Sequence, residues 1–371
     1  MLTRIYIDNF RCLTNFEFRP SQLDFFVGDN GTGKSTVLDA LSIACRVASD
    51  PNAQLEGLLP GRTRTIWDSR PTQTLEVDAR IAGATFRYGL RIRHADDGTP
   101  LVLAETVSRD GQVVFENTEG LVRVWRGDTP ITTFQFSQRR TFLALLEAAD
   151  AERDVIGDVV RLREHLSQVR VLRLDPFSMA ATSAGPARRL LLDGSNFASW
   201  YQRFSAEHLA LQGDYFRELA EILPGFTGLS FRQDGTRHTL LAAFKTKGSR
   251  QPCLLRFDEL SEGQRVLVVL YALLTEMQVE PSTTFFDEPS AHVALGEIQP
   301  WLVELCERIG EGVQVGLVSH HPDIIDYMAA RSAIAFRRPS FGPVVTERLT
   351  VDRDEGLRAS DVVRKRLYAD D

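Results

Sequence analysis

Lysine is scarce in this chain. Of its 371 residues, 43 are Lys or Arg, and Lys stands only at positions 34, 245, 247 and 365. A coding bias that also enriches Ala explains so arginine-rich a basic set more simply than selection for phosphate contacts. A basic excess is lacking too: the formal net charge is −7, so no whole-chain field marks a nucleic-acid binder, and DNA contact would need a local patch. The four cysteines, Cys12, Cys45, Cys253 and Cys306, form no CxxC pair, which excludes a disulfide framework and a thiolate zinc site and fits a reducing, cytoplasmic setting. Long apolar runs are missing as well. The longest, Val266 to Leu274, falls well short of the ~20 residues that cross a bilayer, and the opening MLTRIYIDNF reads as a strand rather than a signal peptide. A soluble protein without membrane contact is expected.

What is present is ordinary globular composition, 43% hydrophobic and 25% charged, in a chain long enough for one large or two ordinary domains. Thr3 to Asn9 and Asn15 to Phe18 alternate apolar and polar, and Leu23 to Val27 is an apolar run leading into a glycine-rich turn. Strands are predicted there. Ser35 to Val47 follows as a helix with Val37, Leu38, Leu41, Ala44 and Cys45 on one face. From about Thr74 to Phe136 short strands recur between Asp97-Gly98, Asp110-Gly111 and Gly127-Asp128, which predicts an antiparallel meander. Thr141 to Val169 and Asn196 to Leu223 have helical period, without enough heptads for a long coiled coil. The last third alternates helix Gly263 to Gln278, strand Thr283 to Phe286, helix Glu297 to Ile309 and strand Gln314 to Val318, the pattern of a parallel α/β sheet. Three spans are expected: a lobe over 1–140, a mostly helical insert and connector over 141–250, and a second α/β lobe over 251–371.

The chemistry concentrates in four places. Gly28-Asp29-Asn30-Gly31-Thr32-Gly33-Lys34-Ser35-Thr36 fits GxxxxGK[ST] between a strand and a helix. There Gly28, Asn30, Gly31, Thr32 and Gly33 turn backbone N–H groups toward phosphates, Lys34 reaches the β and γ phosphates, and Ser35, beside Thr36, can ligate Mg²⁺. Thr283 to Phe286 is an apolar strand ending in Asp287 and Glu288; Asp287 can hold the Mg²⁺ shell while Glu288 orients and polarises the attacking water. An acidic turn after a strand is common, and gains weight only beside the phosphate loop. Leu260-Ser261-Glu262-Gly263-Gln264-Arg265 opens the helix before that strand. Ser261 reads as a plain N-cap, but a hydroxyl, a glycine N–H and a helix N-terminus also suit a phosphate. Finally, Val318-Ser319-His320-His321-Pro322 follows the next strand.

In that order the four motifs resemble the ABC ATPases, whose signature reads LSGGQ; Glu262 replaces its first glycine, a variation familiar in the chromosome-maintenance and repair branch. The resemblance assigns His320 as the switch histidine, with His321 in place of a usual small residue. The interval from Lys34 to Ser261 takes up most of the chain whereas Ser261 and Asp287 are close, an arrangement similar to the SMC, RecF and OLD branch and unlike transporter subunits. Asn9-Phe10-Arg11-Cys12-Leu13, the Glu105 meander and Leu192-Asp193-Gly194-Ser195-Asn196-Phe197 look most like the short AAA-family ATPases of that branch. The implied fold is α/β, a P-loop ABC-type ATPase head with two lobes and a mostly helical insertion.

The same resemblance implies ATP and Mg²⁺ as cofactors and hydrolysis of ATP to ADP and phosphate. It also implies an ATP-dependent head-to-tail homodimer in which Ser261, Gly263 and Gln264 of one copy face the nucleotide of the other. Gln138 is the implied Q-loop ligand of Mg²⁺, with Gln135 as competitor and a plain surface glutamine as the simpler alternative. Arg11 matches a residue that approaches nucleotide in relatives, or is a solvated Arg between strands. Ser290-Ala291-His292 departs from the usual loop. Arg161, Arg163, Arg170, Arg173, Arg188 and Arg189, set against Glu164 and Asp175, form a basic stretch that reads as a solvated helix face or as DNA contact. Two roles are expected of the cycle: an ATP-switched machine acting on DNA in repair or antiviral defence, or an ATP-gated module controlling a separately encoded nuclease or toxin. No metal-dependent nuclease motif follows Pro322, so any cutting is expected from a partner.

Overall fold

The computed structural model describes residues 1–146, 154–248, 250–329, 331–349 and 358–361. The chain opens on β1 (Leu2–Asp8), β2 (Phe16–Phe18), β3 (Leu23–Val27), α1 (Lys34–Ser49) and the single turn α2 (Leu55–Leu58). Six strands follow: β4 (Thr72–Ile81), β5 (Ala84–His94), β6 (Pro100–Arg109), β7 (Gln112–Thr118), β8 (Leu121–Arg126) and β9 (Thr129–Gln135). Next come α3 (Asp154–Gln168), β10 (Val169–Leu172), β11 (Thr182–Ser183), α4 (Phe197–Glu207), α5 (Gln212–Ile222), β12 (Phe226–Asp234), β13 (Arg237–Phe244) and β14 (Cys253–Arg256). The last third is α6 (Glu262–Glu276), β15 (Ser282–Asp287), α7 (Leu295–Glu307), β16 (Val313–Val318), α8 (Pro322–Met328), β17 (Ala333–Arg337) and β18 (Val345–Leu349). Among the described residues no helix is long and apolar enough to cross a membrane.

These elements form two compact units, Met1–Val171 with Gln314–Asp371, and Leu172–Val313. The three expected spans therefore group differently, because the chain leaves the first unit after Val171 and returns to it at Gln314.

The first unit holds an antiparallel sheet in the order β2-β1-β4-β5-β6-β7-β8-β9. Its strands alternate as a half-covered sheet should: β5 buries Phe86, Tyr88, Leu90 and Ile92 on one face and exposes Thr85, Arg87, Arg91 and Arg93 on the other. Three of its hairpins turn through a pair of residues with positive φ, Ala82-Gly83 (49° and 85°), Asp110-Gly111 (49° and 85°) and Glu119-Gly120 (50° and 86°), the geometry that matches the twist of paired strands. Only the second was marked by an Asp-Gly pair in the sequence. A second set of strands in this unit runs β16-β3-β17-β18, with β3 parallel to β16 and to β17 and β18 antiparallel at the end. All six residues of β16 and four of the five in β3 are buried, which is why both read as continuous apolar runs rather than alternating ones. The helix α1 buries Val37, Leu38, Leu41, Ala44 and Cys45, the face expected, and continues to Ser49.

In the second unit β12, β13, β14 and β11 form an antiparallel sheet. This part of the insert is strand rather than helix. The expected helix Thr141 to Val169 is seen as α3, starting at Asp154 after the tight turn Leu143–Leu145; residues 147–153 of it lie outside the described residues. Asn196 to Leu223 is two helices, α4 and α5, parted by the turn Leu209–Leu211. The helix α6 is buried without a break from Val266 to Glu276, and all six residues of β15 are buried too.

Candidate functional site

The phosphate loop leaves β3 at Val27 and turns through Gly28, Gly31 and Gly33 at φ of 148°, 80° and 98°. Two of these glycines are fixed by crowding as well as by φ. A Cβ on Gly28 would lie 2.4 Å from the Phe336 carbonyl oxygen, and one on Gly33 would lie 2.6 Å from Val344 Cγ2. With Gly33 as N-cap, α1 starts without a side-chain cap and without an acidic residue in its first turn. Its terminal N–H groups and positive potential are suited to an anion. Lys34 is 4% exposed, and its Nζ donates to the carbonyl oxygens of Gly28 (2.7 Å) and Asp29 (2.8 Å). Thr32 Oγ1 donates to the Asp29 carbonyl at 2.8 Å, which ties the loop to itself.

Around this loop lies a cleft of about 470 Å³. Asn30, Gly31, Gly33, Lys34, Ser35 and Thr36 line one part of it, and Arg11, Arg62, Arg64, Ile66, Trp67, His320 and Arg338 much of the rest. Five of these side chains are cationic by nature, and among the described residues no carboxylate lines the cleft. The sequence-predicted residues brought together here are thus the loop, Arg11 and His320. Arg11 has φ 50° and its Nη1 donates to Asp39 Oδ2 at 2.5 Å. His320 is exposed, whereas His321 is not in the lining and lies 3.6 Å from Asp323. Gln138 is also outside the lining; its carbonyl accepts from the Val102 amide at 2.7 Å.

Arg62, Arg64, Trp67 and Arg338 were missed by sequence reasoning. The fold brings the first three in through Asn9, which is fully buried. Asn9 Nδ2 donates to the carbonyls of Arg70 (2.9 Å) and Thr72 (2.7 Å), and its Oδ1 accepts from the Thr65 amide at 3.0 Å. The Asn9 side chain therefore pins the loop that carries Arg62, Arg64 and Trp67 beside the turn that carries Arg11. Arg-Thr-Arg-Thr-Ile-Trp at 62–67, with two apolar residues in an arginine-rich loop, was the available signal.

The other predicted residues belong to the second unit. Asp287 is 3% exposed at the end of β15, and its Oδ2 accepts from Arg173 Nε at 2.8 Å and Nη2 at 2.5 Å. Glu288 follows with φ 54°, a conformation that costs a non-glycine residue on the order of 1 kcal/mol. Ser261 caps α6: its hydroxyl accepts from the Gln264 amide at 3.3 Å while Gln264 Oε1 accepts from the Ser261 amide at 3.0 Å, a closed capping box. Gly263 has a packing reason, since an added Cβ would sit 2.9 Å from the His292 carbonyl oxygen. The loop Ser290-Ala291-His292 is held to the start of α6 by His292, whose Nδ1 is 3.2 Å from Glu262 Oε2.

Arg161 pairs with Asp158 at 3.0 Å, Arg170 is 9% exposed, and Arg173 is committed to Asp287. Arg188 is exposed.

A glycine loop crowded at Gly28 and Gly33, a buried lysine and an uncapped helix N-terminus build a P-loop nucleotide site. In agreement, the family described as "AAA domain, putative AbiEii toxin, Type IV TA system" matches residues 25–326. The chain belongs to this family. That match spans the P-loop, the Leu260–Arg265 segment, Asp287-Glu288 and His320 of this AAA-domain protein. Among solved structures it is similar to an SMC head bound to the C-terminal winged-helix domain of ScpA, at 12% identity and TM-score 0.56, covering 96% of this chain and 99% of that one. It is also similar to a Pyrococcus furiosus SMC head with an extended coiled coil bound to the C-terminal domain of ScpA, at 12% identity and TM-score 0.52, covering 98% and 99%. At that identity the likeness is one of fold. No curated protein matches the chain in sequence.

Proposed function

We propose that this AAA-domain protein binds ATP with Mg²⁺ at the P-loop cleft and hydrolyses it. The observation that carries the reading is the cleft itself, where the uncapped N-terminus of α1 and Lys34 meet Arg11, Arg62, Arg64 and Arg338 with no carboxylate in the lining among the described residues. A triphosphate neutralises such a set, and few other small ligands do. Lys34 Nζ is held near the loop by two carbonyls, within reach of phosphate oxygens in place of those bonds. Ser35 by its hydroxyl and Asp287 by its carboxylate are assigned to hold the hard cation, oxygen ligands of the kind Mg²⁺ takes. Bound Mg²⁺ would supply charge neutralisation of the phosphates. Glu288 is assigned to polarise water and His320 to sense the γ phosphate, which makes the chemistry chiefly one of positioning and electrostatics. In the proposed active form two copies meet head to tail and Ser261, Gly263 and Gln264 complete the partner's site.

The cycle is assigned to an ATP-gated module that controls a nuclease or toxin encoded separately, in defence. The family description, which names a toxin–antitoxin system, favours this reading. Direct action on DNA is the second reading; the exposed Arg161 and Arg188 of the basic stretch are what support it.

Calorimetric titration of ATP with Mg²⁺ into wild type and Lys34→Ala, with phosphate release measured in parallel, tests the core of the proposal. Binding and turnover by wild type, both lost in Lys34→Ala, are expected. Equal binding by the two proteins would overturn it.

A further inference from the structure

The cleft has an end that a triphosphate does not account for. Trp67 lines it with 44% of its surface exposed, next to Ile66 at 93%. The Arg338 guanidinium carbon lies 5.2 Å from the centre of the Trp67 ring and 5.3 Å from that of Phe341. That guanidinium is not loose: Nε donates to the Gly342 carbonyl and Nη2 to the Phe341 carbonyl, both at 3.0 Å. Ser340 and Phe341 hold this turn at φ of 48° and 56°, unusual for residues with side chains. On the other side, Asn9 pins the loop that carries Trp67. A planar cation and an indole are thus fixed against each other in the cleft that the P-loop opens into.

We infer that Trp67 and Arg338 form a stacking platform for the base of the bound nucleotide, and that the site takes adenine and guanine nucleotides alike. The inference rests on the P-loop reading above and goes on to the base. Flat aromatic surface next to a cation attracts any π face, and stacking alone is tolerant of base identity. Telling the purines apart takes groups that read their edges. The 6-amino group of adenine needs an acceptor; among the described residues no carboxylate side chain lines the cleft, and the carboxamide that does, Asn30, belongs to the phosphate loop. Arg338 stands beside Trp67 and the cleft also holds Arg62 and Arg64, donors that suit the N7 of either purine and the O6 of guanine.

Calorimetry on the full chain with ATP, GTP and inorganic tripolyphosphate tests this, using wild type, Trp67→Ala, Trp67→Phe and Lys34→Ala. Wild type is expected to bind GTP within about tenfold of ATP. Trp67→Ala should weaken both nucleotides about tenfold or more, leave tripolyphosphate within about twofold, and be largely rescued in Trp67→Phe. Retained tripolyphosphate binding also shows that the variant is folded. A preference for ATP above about tenfold, ATP affinity indifferent to Trp67→Ala, or an equal loss of tripolyphosphate would each overturn the platform. Wild type and Lys34→Ala with equal nucleotide affinity would instead overturn the P-loop reading beneath it.

Discussion

Arg173 donates through both Nε and Nη2 to one oxygen, Asp287 Oδ2, so the carboxylate proposed to hold Mg²⁺ is already engaged by a cation. The guanidinium is 43% exposed and the carboxylate side chain 3%, so the pair is worth no more than about 1 kcal/mol after screening. Mg²⁺ has to compete with it. In Arg173→Ala the Mg²⁺ concentration that half-saturates ATP turnover should fall by about fivefold, the equivalent of that energy. A titration of phosphate release against Mg²⁺ reads it directly. A higher Mg²⁺ requirement would assign Arg173 to orienting Asp287 instead.

Glu288 stands next to that pair with φ 54°, and strain of this kind persists where surrounding structure enforces it. If its carboxylate polarises the attacking water, Glu288→Gln keeps the shape and removes the base. Turnover should drop on the order of 10²–10⁴ with ATP affinity retained. Stopped-flow phosphate release beside equilibrium binding separates the two quantities, and near-normal turnover would take Glu288 out of that role.

Two buried titratable groups tilt stability in opposite directions with pH. Burial pushes Glu105 up from 4.5 to about 7, against the hydrogen bonds it accepts from the amides of Phe142 and Leu143 and from Tyr88. Folding then favours its protonated form, so its contribution is intact below about 4.5 and is lost as pH rises to 7. Burial, with the Met1 amine 3.4 Å away, lowers His165 from 6.5 to about 4. Its contribution is intact above 6.5 and is lost as pH falls toward 4. Each effect is at most about 3 kcal/mol. Thermal melts from pH 4 to 8 should show Glu105→Gln losing the decline toward neutral pH, and His165→Gln losing the decline toward acid. Parallel curves for wild type and Glu105→Gln would show that Glu105 does not titrate in that window.

The P-loop and its flanks were legible because local chemistry sets them. Leu23–Val27 is a strand with the bounds expected, and α1 starts within one residue of the predicted Ser35. The sheet of β12 and β13 was not read, although Asp234-Gly235 marks its turn. Phe226–Asp234 leaves most of its residues exposed or half-buried and carries polar side chains on both faces, so its alternation is weak. Arg338 had no local signature, and the arginine-rich run that carries Trp67 did not say what it would meet. They meet only because Asn9 draws one loop in and the turn after β17 folds back. A contact between positions so far apart in sequence leaves no period or spacing to read.

The shared-site dimer is open to the most stringent test. Ser261 in this structure caps its own helix, with Gln264 closing the box, so the hydroxyl serves local structure and is at the same time at a helix N-terminus suited to a phosphate. If that phosphate belongs to a second copy, Lys34→Ala removes phosphate binding in one subunit and Ser261→Arg blocks docking by the other. Each variant alone should be inactive. Mixed in equal amounts, a subunit with intact Lys34 meets a partner with intact Ser261, which makes one whole site and one doubly damaged site. Turnover should recover to as much as about one quarter of wild type, since half of the dimers are mixed and each carries one of two sites. Two sites that must fire together would stay silent in the mixture, so sedimentation of wild type with and without ATP and Mg²⁺ accompanies the assay. ATP should shift wild type from monomer to dimer. Turnover by a wild type that stays monomeric at high concentration would overturn the shared site whatever the mixing result.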